Sequence, residues 1–397
     1  MAQQFDPAAA TAAYLAQLAP EAHAKASAYT QGGHWILLWG SLVAVATAWL
    51  VLRSGVLVGT RAAIESRKSR PWLAAAAVLG LDAVIETVLG LPWNIYADWW
   101  REKAYGLTNR SLGGFLGEFA LTSAISVVVT VVLLLLLYWA IRRAPRTWWA
   151  WGGGIVTVAI VVLLVLAPVF IEPLLNDYKE APQGPVRDAI VEMAEVNGVP
   201  HDKIYVYDGS KQSNRYTANV SGLFGTSRIA MSDVMFAKGA DLAEVKAVVG
   251  HEMGHYVRKD VFWLAGAFGL LALLGFFLVD RLFAPVLRLT GARGVQGIAD
   301  PAGFPVIGII LSVLVLLATP IYAGLIRQGE VAADRYSLQR ANEPDGLARA
   351  LVKTIEYRAA TPSKLEEFLF YDHPAVGSRV RMAMDWKAAQ MKVDEVR

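Results

Sequence analysis

Long runs of apolar residues alternate with polar and charged segments along this chain. A helix that crosses a membrane needs ~20 predominantly apolar residues, because only a helix satisfies its own backbone hydrogen bonds in lipid. Six runs meet this requirement, at residues 35–52, 72–91, 115–141, 148–171, 261–282 and 304–326. The pattern predicts a multi-pass α-helical membrane protein of about six spans.

The segments after the fourth and sixth runs have a mixed, charged character and are predicted to fold outside the membrane. Their patterns predict helices over 185–197 and 241–259, strands over 203–207 and 226–231, and partly helical structure over 327–397. Six crossings place both chain ends and both segments on one side. We therefore expect them to assemble into a small α+β domain on the bundle.

Domain boundaries follow from these changes in character. The predicted parts are an N-terminal polar segment (1–34), a four-span region (35–171), a first part of the extramembrane domain (172–260), two further spans (261–326) and a second part of that domain (327–397). The polar N-terminal segment has no basic stretch leading into a short apolar core, which argues against a cleavable signal peptide.

Composition supports a membrane protein and narrows the chemistry. Of the 397 residues, 55% are hydrophobic, above the ~45–50% of soluble domains. The net charge of +3 comes with no basic face, so no nucleic-acid partner is expected. The absence of cysteine excludes disulfides, thiolate metal sites and cysteine nucleophiles. Any metal must be held by His, Asp or Glu.

The sequence HEMGH at 251–255 is the strongest chemical signal. On a helix, His251 and His255 lie on one face and can bind one metal ion. Glu252 lies one position round, where a carboxylate can act as the general base toward a zinc-activated water. The alternative is a pair of surface histidines on an amphipathic helix. Charged residues flank the motif closely, which predicts a site at the bilayer surface rather than within a span.

A catalytic zinc site uses three protein ligands, so a third ligand is required. No further histidine follows HEMGH closely, and Glu330, just after the last span, is the best candidate. Asp334 lies one helical turn beyond Glu330 and is placed to accept the second N–H of a metal-bound histidine. The alternative interpretation of both acids is a solvated helix N-terminus. Ligand type alone leaves cobalt and manganese open beside zinc.

Three further polar residues carry two interpretations each. His373 precedes Pro374 and is either an oxyanion hydrogen-bond donor or a capping residue. Asp82 and Glu86 lie one turn apart within the second apolar run. They either face a wet bundle interior or lie near an interface beside a cation.

These residues, taken in order, resemble the type-1 CAAX prenyl endopeptidases, integral-membrane HExxH zinc metalloproteases related to HtpX-type proteases. The segments that carry the resemblance are LGLPWNIY at 89–96, REKAYGLTNRSLGGF at 101–115, IEPLLNDY at 171–178, IYVYDGSKQS at 204–213, HEMGH at 251–255, GEVAAD at 329–334 and DHPAVGSR at 372–379. The resemblance extends over roughly residues 80 to 385.

The resemblance implies one Zn²⁺ per chain held by His251, His255 and Glu330, with Glu252 as base. It also implies that His373 and Arg379 line the site near the scissile bond, and that the helices enclose a water-filled chamber beside a gluzincin-like peptidase domain. A β-edge near residues 217–223 would take an extended peptide. The implied partners are the lipid bilayer and a peptide or protein substrate, prenylated or membrane-associated.

Substrate and orientation stay open on sequence alone. A bacterial inner-membrane location is expected from the compact composition, and favours an HtpX-like quality-control protease over a CAAX protease. A transporter and a scaffold with structural zinc are the non-enzymatic alternatives. Eleven Lys and Arg residues in the loops opposite the domain, against four on its side, predict a cytoplasmic loop side, whereas the family implies a cytosolic catalytic domain.

Overall fold

Helices form most of the described chain, which comprises residues 5–396 apart from 67, 214–216, 223–226 and 237–240 in a computed structural model. The helices of its N-terminal part are α1 (Pro7–Leu15), α2 (Pro20–Ser54), α3 (Val56–Glu65), α4 (Pro71–Asn94), α5 (Arg101–Tyr105), α6 (Leu112–Arg143), α7 (Trp148–Leu166) and α8 (Glu172–Leu175). Two π-helical turns, Ile95–Trp100 and Ala167–Ile171, extend α4 and α7 toward the extramembrane domain.

The second half of the chain combines short strands with helices. Its elements are β1 (Tyr178–Glu180), α9 (Pro185–Asn197), β2 (Ile204–Tyr207), β3 (Ala218–Ser221), β4 (Arg228–Ser232), α10 (Leu242–Val257), α11 (Asp260–Thr290), α12 (Phe304–Ala341), α13 (Pro344–Lys353), α14 (Lys364–Phe370) and α15 (Val376–Val396). The helix predicted over 185–197 has these bounds. Thr226, the predicted start of a strand, lies outside the described residues.

Six helices in the described part of the chain are long and apolar enough to cross a membrane, namely α2, α4, α6, α7, α11 and α12. Each contains one of the predicted apolar runs or most of it. Large apolar side chains such as Val128, Val158 and Leu270 remain exposed on them. An exposed apolar surface of this size is unfavourable in water, and the lipid of a membrane would cover it. The prediction of a six-span helical membrane protein with a small α+β part is confirmed.

The last span is longer than its apolar run. Helix α12 has 38 residues and, at about 1.5 Å per residue, is ~57 Å long, against a hydrocarbon core of ~30 Å. The predicted span ends at 326, but the helix continues without a break to Ala341. Glu330 and Asp334 therefore lie on the same rigid helix as the span, not on a separate polar helix.

The bundle interior holds one carboxylate without a partner. Asp82 is fully buried, and within the described residues neither of its oxygens makes a hydrogen bond, whereas Glu86 is half-buried. Asp82 thus faces the interior, and no cation of the described residues pairs with it. At the far end of the bundle, by contrast, Asp300 is paired with Arg61, which joins α3 to the segment before α12.

The strands form a mixed sheet in the order β1-β2-β4-β3. Strands β2 and β4 are parallel, and β1 and β3 pair antiparallel with them. Strand β3 is an edge of the sheet and coincides with the edge predicted near 217–223, of which Leu223 lies outside the described residues. Ile204, Ile229 and Met231 point into a buried core shared with α9 and α10.

Part of the predicted N-terminal polar segment belongs to the extramembrane core. Helix α1 and the start of α2 pack against α13 and α15 in one apolar cluster that includes Ala26 and Leu15. The Tyr14 hydroxyl donates to Asp345 over 2.7 Å, and Lys387 pairs with the same carboxylate at 2.6 Å. The extramembrane domain is therefore assembled from three separate stretches of sequence.

Candidate metal centre

Helix α10 carries HEMGH and is fixed from two sides. Its N-terminus is capped by Asp241, whose side chain accepts from the backbone N–H of Ala243 over 2.9 Å. Val245, Val249 and Met253 recur at helical spacing, are fully buried, and pack the helix on the sheet. The opposite face is left for the histidines.

Two glycines allow α10 to lie very close to α12. A Cβ at Gly254 would lie 3.2 Å from the Cα of Ala333, and one at Gly250 would lie 3.2 Å from the hydroxyl of Ser337. That hydroxyl donates to the carbonyl of Ala247 over 2.6 Å. The close approach brings the histidines of one helix against the acids of the other.

Three ligand atoms converge between these helices. The Nε2 atoms of His251 and His255 are 3.2 Å apart, and they lie 3.2 Å and 3.4 Å from the two carboxylate oxygens of Glu330. Ligands held ~2.0–2.1 Å from a tetrahedral zinc ion lie about 3.3–3.4 Å from one another. The buried Oε2 atom of Glu330 makes no hydrogen bond of acceptable geometry. The donor set therefore fits a zinc ion.

Each imidazole is oriented by a carboxylate on its other nitrogen. His251 Nδ1 lies 2.9 Å from Oδ1 of Asp334, and His255 Nδ1 lies 2.8 Å from Oδ2 of Asp260. An N–H donated to a carboxylate leaves the lone pair on Nε2, which is the atom that faces Glu330. Both imidazoles thus present their Nε2 lone pairs to the same point.

The charge balance of the site favours a cation. Burial alone would lower the pKa of His251, but its hydrogen bond to Asp334 and the adjacent carboxylate of Glu330 raise that pKa to about 10. Burial lowers the pKa of His255, but the carboxylates of Glu330 and Glu252 together raise it above the ordinary value. The space between the two rings and the carboxylate therefore stabilises positive charge, which protons or a metal ion can supply.

Asp260 is a site residue that the sequence reasoning missed. The residue before it, Lys259, has a left-handed backbone with φ of 56°, which turns the chain sharply between α10 and α11. This turn places the Asp260 carboxylate beneath His255, where it also accepts from the indole of Trp263 over 2.9 Å. The sequence feature that could have identified Asp260 is a carboxylate five positions after the second histidine of the motif.

Glu252 lies beside the three ligand side chains without being one of them. Burial raises the pKa of its carboxyl above the ordinary value, and the nearby His251 and His255 oppose this rise. A carboxylate with a raised pKa exchanges protons more readily near neutral pH. Its position and its pKa both suit proton transfer.

His373 and Arg379 occupy different places. The His373 Nε2 atom lies 3.1 Å from Oε2 of Glu330, so this imidazole faces the ligand cluster. Arg379 is buried behind Asp334, which it binds through two hydrogen bonds of 2.6 Å. Arg379 thus supports the carboxylate that orients His251, and its Nη2 atom also lies 3.9 Å from Oε2 of Glu330.

An apolar groove runs from the ligand cluster toward the membrane. It has a volume of about 570 Å³ and lies between β3, the HEMGH helix and the spans α7 and α11. His255 and Val220 line its inner end, and Leu164 and Phe262 line its wall toward the spans. The edge strand, the ligand cluster and the lipid-facing helices therefore meet at one groove.

Comparisons with known proteins agree with this architecture. The family profile described as "Peptidase family M48" matches residues 180–387, and the one described as "CAAX prenyl protease N-terminal, five membrane helices" matches residues 6–177. The crystal structure of S. mikatae Ste24p has the same fold, with a TM-score of 0.74 at 21% identity over 93% of this chain and 90% of that chain.

Two curated relatives illustrate the range of similarity. "Uncharacterized metalloprotease YhfN" of Bacillus subtilis is 31% identical over 225 residues, which cover 55% of this chain and about half, 52%, of that protein. "CAAX prenyl protease 1" of Saccharomyces cerevisiae is 24% identical over 337 residues, which cover 79% of this chain and 72% of that protein. The predicted resemblance to this group is confirmed.

Proposed function

Because the chain belongs to peptidase family M48, we propose that this multi-pass membrane protein is a zinc metalloendopeptidase that hydrolyses peptide bonds. One observation carries the proposal. His251, His255 and Glu330 offer three ligand atoms within 4.8 Å of one another, and a carboxylate orients each imidazole from behind. A pair of surface histidines would not need those carboxylates.

The proposed metal is one Zn²⁺ per chain, held by His251, His255 and Glu330. A zinc ion there supplies Lewis acidity, which lowers the pKa of a coordinated water to ~7 and polarises the scissile carbonyl. Asp334 and Asp260 keep the two imidazoles in the ligating tautomer.

The chain's own residues then divide the proton transfers. We assign to Glu252 the role of base, which accepts a proton from the attacking water and returns it to the leaving amine. His373 is placed to donate a hydrogen bond to the oxyanion, since its Nε2 atom faces the ligand cluster at 3.1 Å from Glu330. Arg379 acts as a positioning residue through Asp334.

The proposed substrate is a peptide that is lipid-modified or embedded in the membrane. Strand β3 is an edge strand of the described sheet and lies beside the cluster, and an extended peptide can add to it as a further strand. The apolar groove next to His255 extends this edge toward the spans, so it suits an apolar group attached close to the scissile bond. A prenyl group and an apolar membrane segment both meet this requirement.

A second candidate is the turnover of damaged membrane proteins. It is favoured by the similarity of residues in this chain to "Protease HtpX homolog" of Streptococcus uberis, 26% identical over 227 residues. The chemistry would be the same, with broader substrates. Bacterial relatives of this kind also support a location in a bacterial inner membrane, which fractionation of the native host would test.

The decisive experiment compares detergent-purified wild type with Glu252→Gln. Zinc content is measured in both, and cleavage is measured on a farnesylated CAAX peptide and on unfolded casein. The proposal expects about one zinc per chain in both proteins and cleavage by the wild type alone. Preference for the farnesylated peptide supports a CAAX-type enzyme, and preference for casein supports quality control. Equal cleavage by the variant, or the absence of zinc, would refute the mechanism.

A further inference from the structure

A second depression, separate from the apolar groove, opens beside His373. It has a volume of about 420 Å³ and lies between α2, α12 and the segment 357–376. The two depressions share no lining residue, and each touches the catalytic centre through a different histidine, His255 for the groove and His373 for this pocket. A peptide held at the centre would therefore meet two walls of different chemistry.

The walls of this pocket are rich in hydrogen-bond donors. Arg358 reaches the Nδ1 atom of His373 with its Nη2 atom at 3.4 Å. Tyr371 is more than nine-tenths buried, and its hydroxyl, which lies beside Thr30, makes no hydrogen bond of acceptable geometry. A buried hydroxyl without a partner is unfavourable, and a ligand acceptor in the pocket would remove that cost.

The charges around the pocket leave Arg358 as the available cation. Arg101 also lines the pocket, but its guanidinium stacks on Tyr29 and lies 3.9 Å from Glu102. The only carboxylate lining the described pocket, that of Asp372, accepts from His373 over 2.8 Å. The Arg358 guanidinium lies over the ring of Tyr357 at 5.4 Å, and it forms no ion pair with a carboxylate among the described residues. The pocket is thus a cationic surface with one unused hydroxyl donor.

We propose that this pocket is a subsite that binds a carboxylate of the substrate, with Arg358 and Tyr371 as its donors. A carboxylate accepts hydrogen bonds only, and a guanidinium presents two parallel donors that match its oxygens. The inference rests on the proposed peptidase function, because the ligand is part of a peptide held at the metal centre. The carboxylate belongs either to an acidic side chain near the scissile bond or to a free C-terminus.

The test measures binding rather than turnover, so that it stands apart from the catalytic proposal. Fluorescein-labelled peptides are titrated against the Glu252→Gln protein by anisotropy. Three peptides of one sequence are used, which carry an internal Glu with an amidated end, an internal Gln with an amidated end, or an internal Gln with a free carboxylate end. We expect one of the two carboxylates to strengthen binding about 10- to 100-fold over the uncharged peptide. The peptide that gains identifies the source of the carboxylate.

Variants of the pocket decide whether it is responsible. In the Glu252→Gln background, Arg358→Gln should abolish the gain, Tyr371→Phe should reduce it, and Arg358→Glu should make the uncharged peptide the tightest-binding of the three. Arg381→Gln is the matched control, since Arg381 is half-exposed on α15 and, among the described residues, its one ion pair is with Asp385 at 2.9 Å. The gain should be unchanged in that control.

Three results would overturn the inference. These are equal binding of the three peptides, a gain that survives Arg358→Gln and Arg358→Glu, and a gain lost equally in Arg381→Gln. Cleavage of casein by the wild type is scored in parallel. Failure of that cleavage alone contradicts the peptidase proposal, whereas failure of the binding preference alone contradicts only the carboxylate subsite.

Discussion

Replacing Asp260 by Asn should weaken zinc binding without unfolding the protein. The carboxylate of Asp260 is buried, with 3% of its side chain exposed, and accepts from His255 over 2.8 Å. Asn has nearly the same volume and retains one acceptor oxygen, so packing is preserved. What changes is the negative charge that stabilises the N–H of His255 and makes its other nitrogen a better ligand.

The size of the effect follows from this one hydrogen bond. A bond to a charged group contributes about 1.5–3 kcal/mol and a neutral one about 0.5–1.5 kcal/mol, so the exchange costs about 1–1.5 kcal/mol. That cost corresponds to roughly tenfold weaker zinc binding. Residues that orient metal ligands typically contribute about 10–100-fold to metal affinity, and the expected loss lies at the lower end of that range.

The assay is competition for zinc against a chelator of known affinity, in detergent, for wild type and variant. Asp280→Asn is the matched control, because Asp280 also lies on α11 and accepts from an indole, that of Trp148, over 2.7 Å. It contacts no metal ligand among the described residues. Wild-type affinity in Asp260→Asn, or an equal loss in Asp280→Asn, would refute the orienting role.

Three further predictions concern the same helices. Gly254→Ala should destabilise the protein by about 1–3 kcal/mol and weaken zinc binding, because the new Cβ meets the backbone of α12. Gly308→Ala is the control and should have neither effect, because its Cβ would meet no atom within 4 Å. Thermal unfolding measures the stability of both variants, and chelator competition measures their zinc affinity. Arg379→Gln should lower the free energy of unfolding by about 3–5 kcal/mol, because the buried carboxylate of Asp334 loses its ion pair with Arg379. An unchanged unfolding midpoint would contradict this expected loss of stability. Burial raises the pKa of Glu252, and only its carboxylate form accepts a proton. As the pH is lowered, kcat/KM should therefore fall with an apparent pKa above the ~4.3 of an ordinary Glu. A kcat/KM that stays constant down to that pH would count against the assignment of Glu252 as base.

Local patterns in the sequence were sufficient for the membrane spans and for part of the site. The spans follow from the length of the apolar runs, because a bilayer accepts only segments that satisfy their own backbone. His251, Glu252 and His255 follow from helical spacing, since residues four apart share a face. Both are properties of neighbouring residues, which a sequence displays directly.

The tertiary structure decided what depends on contacts between distant segments. That Glu330 meets the two histidines rests on Gly250 and Gly254, which let α10 approach α12. The orienting role of Asp260 depends on the left-handed backbone of Lys259, which no periodicity encodes.

The same holds for Arg379, the pocket beside His373 and the N-terminal segment. Arg379 lies behind Asp334 because α15 packs next to α12, and Leu15 joins a core that the N-terminal helices share with the C-terminal helices. The apolar pattern fixes which faces must be buried, because water excludes them wherever they occur. The apolar pattern does not determine which buried faces contact each other. Those contacts depend on the lengths of the helices and on the glycines that let two helices approach closely.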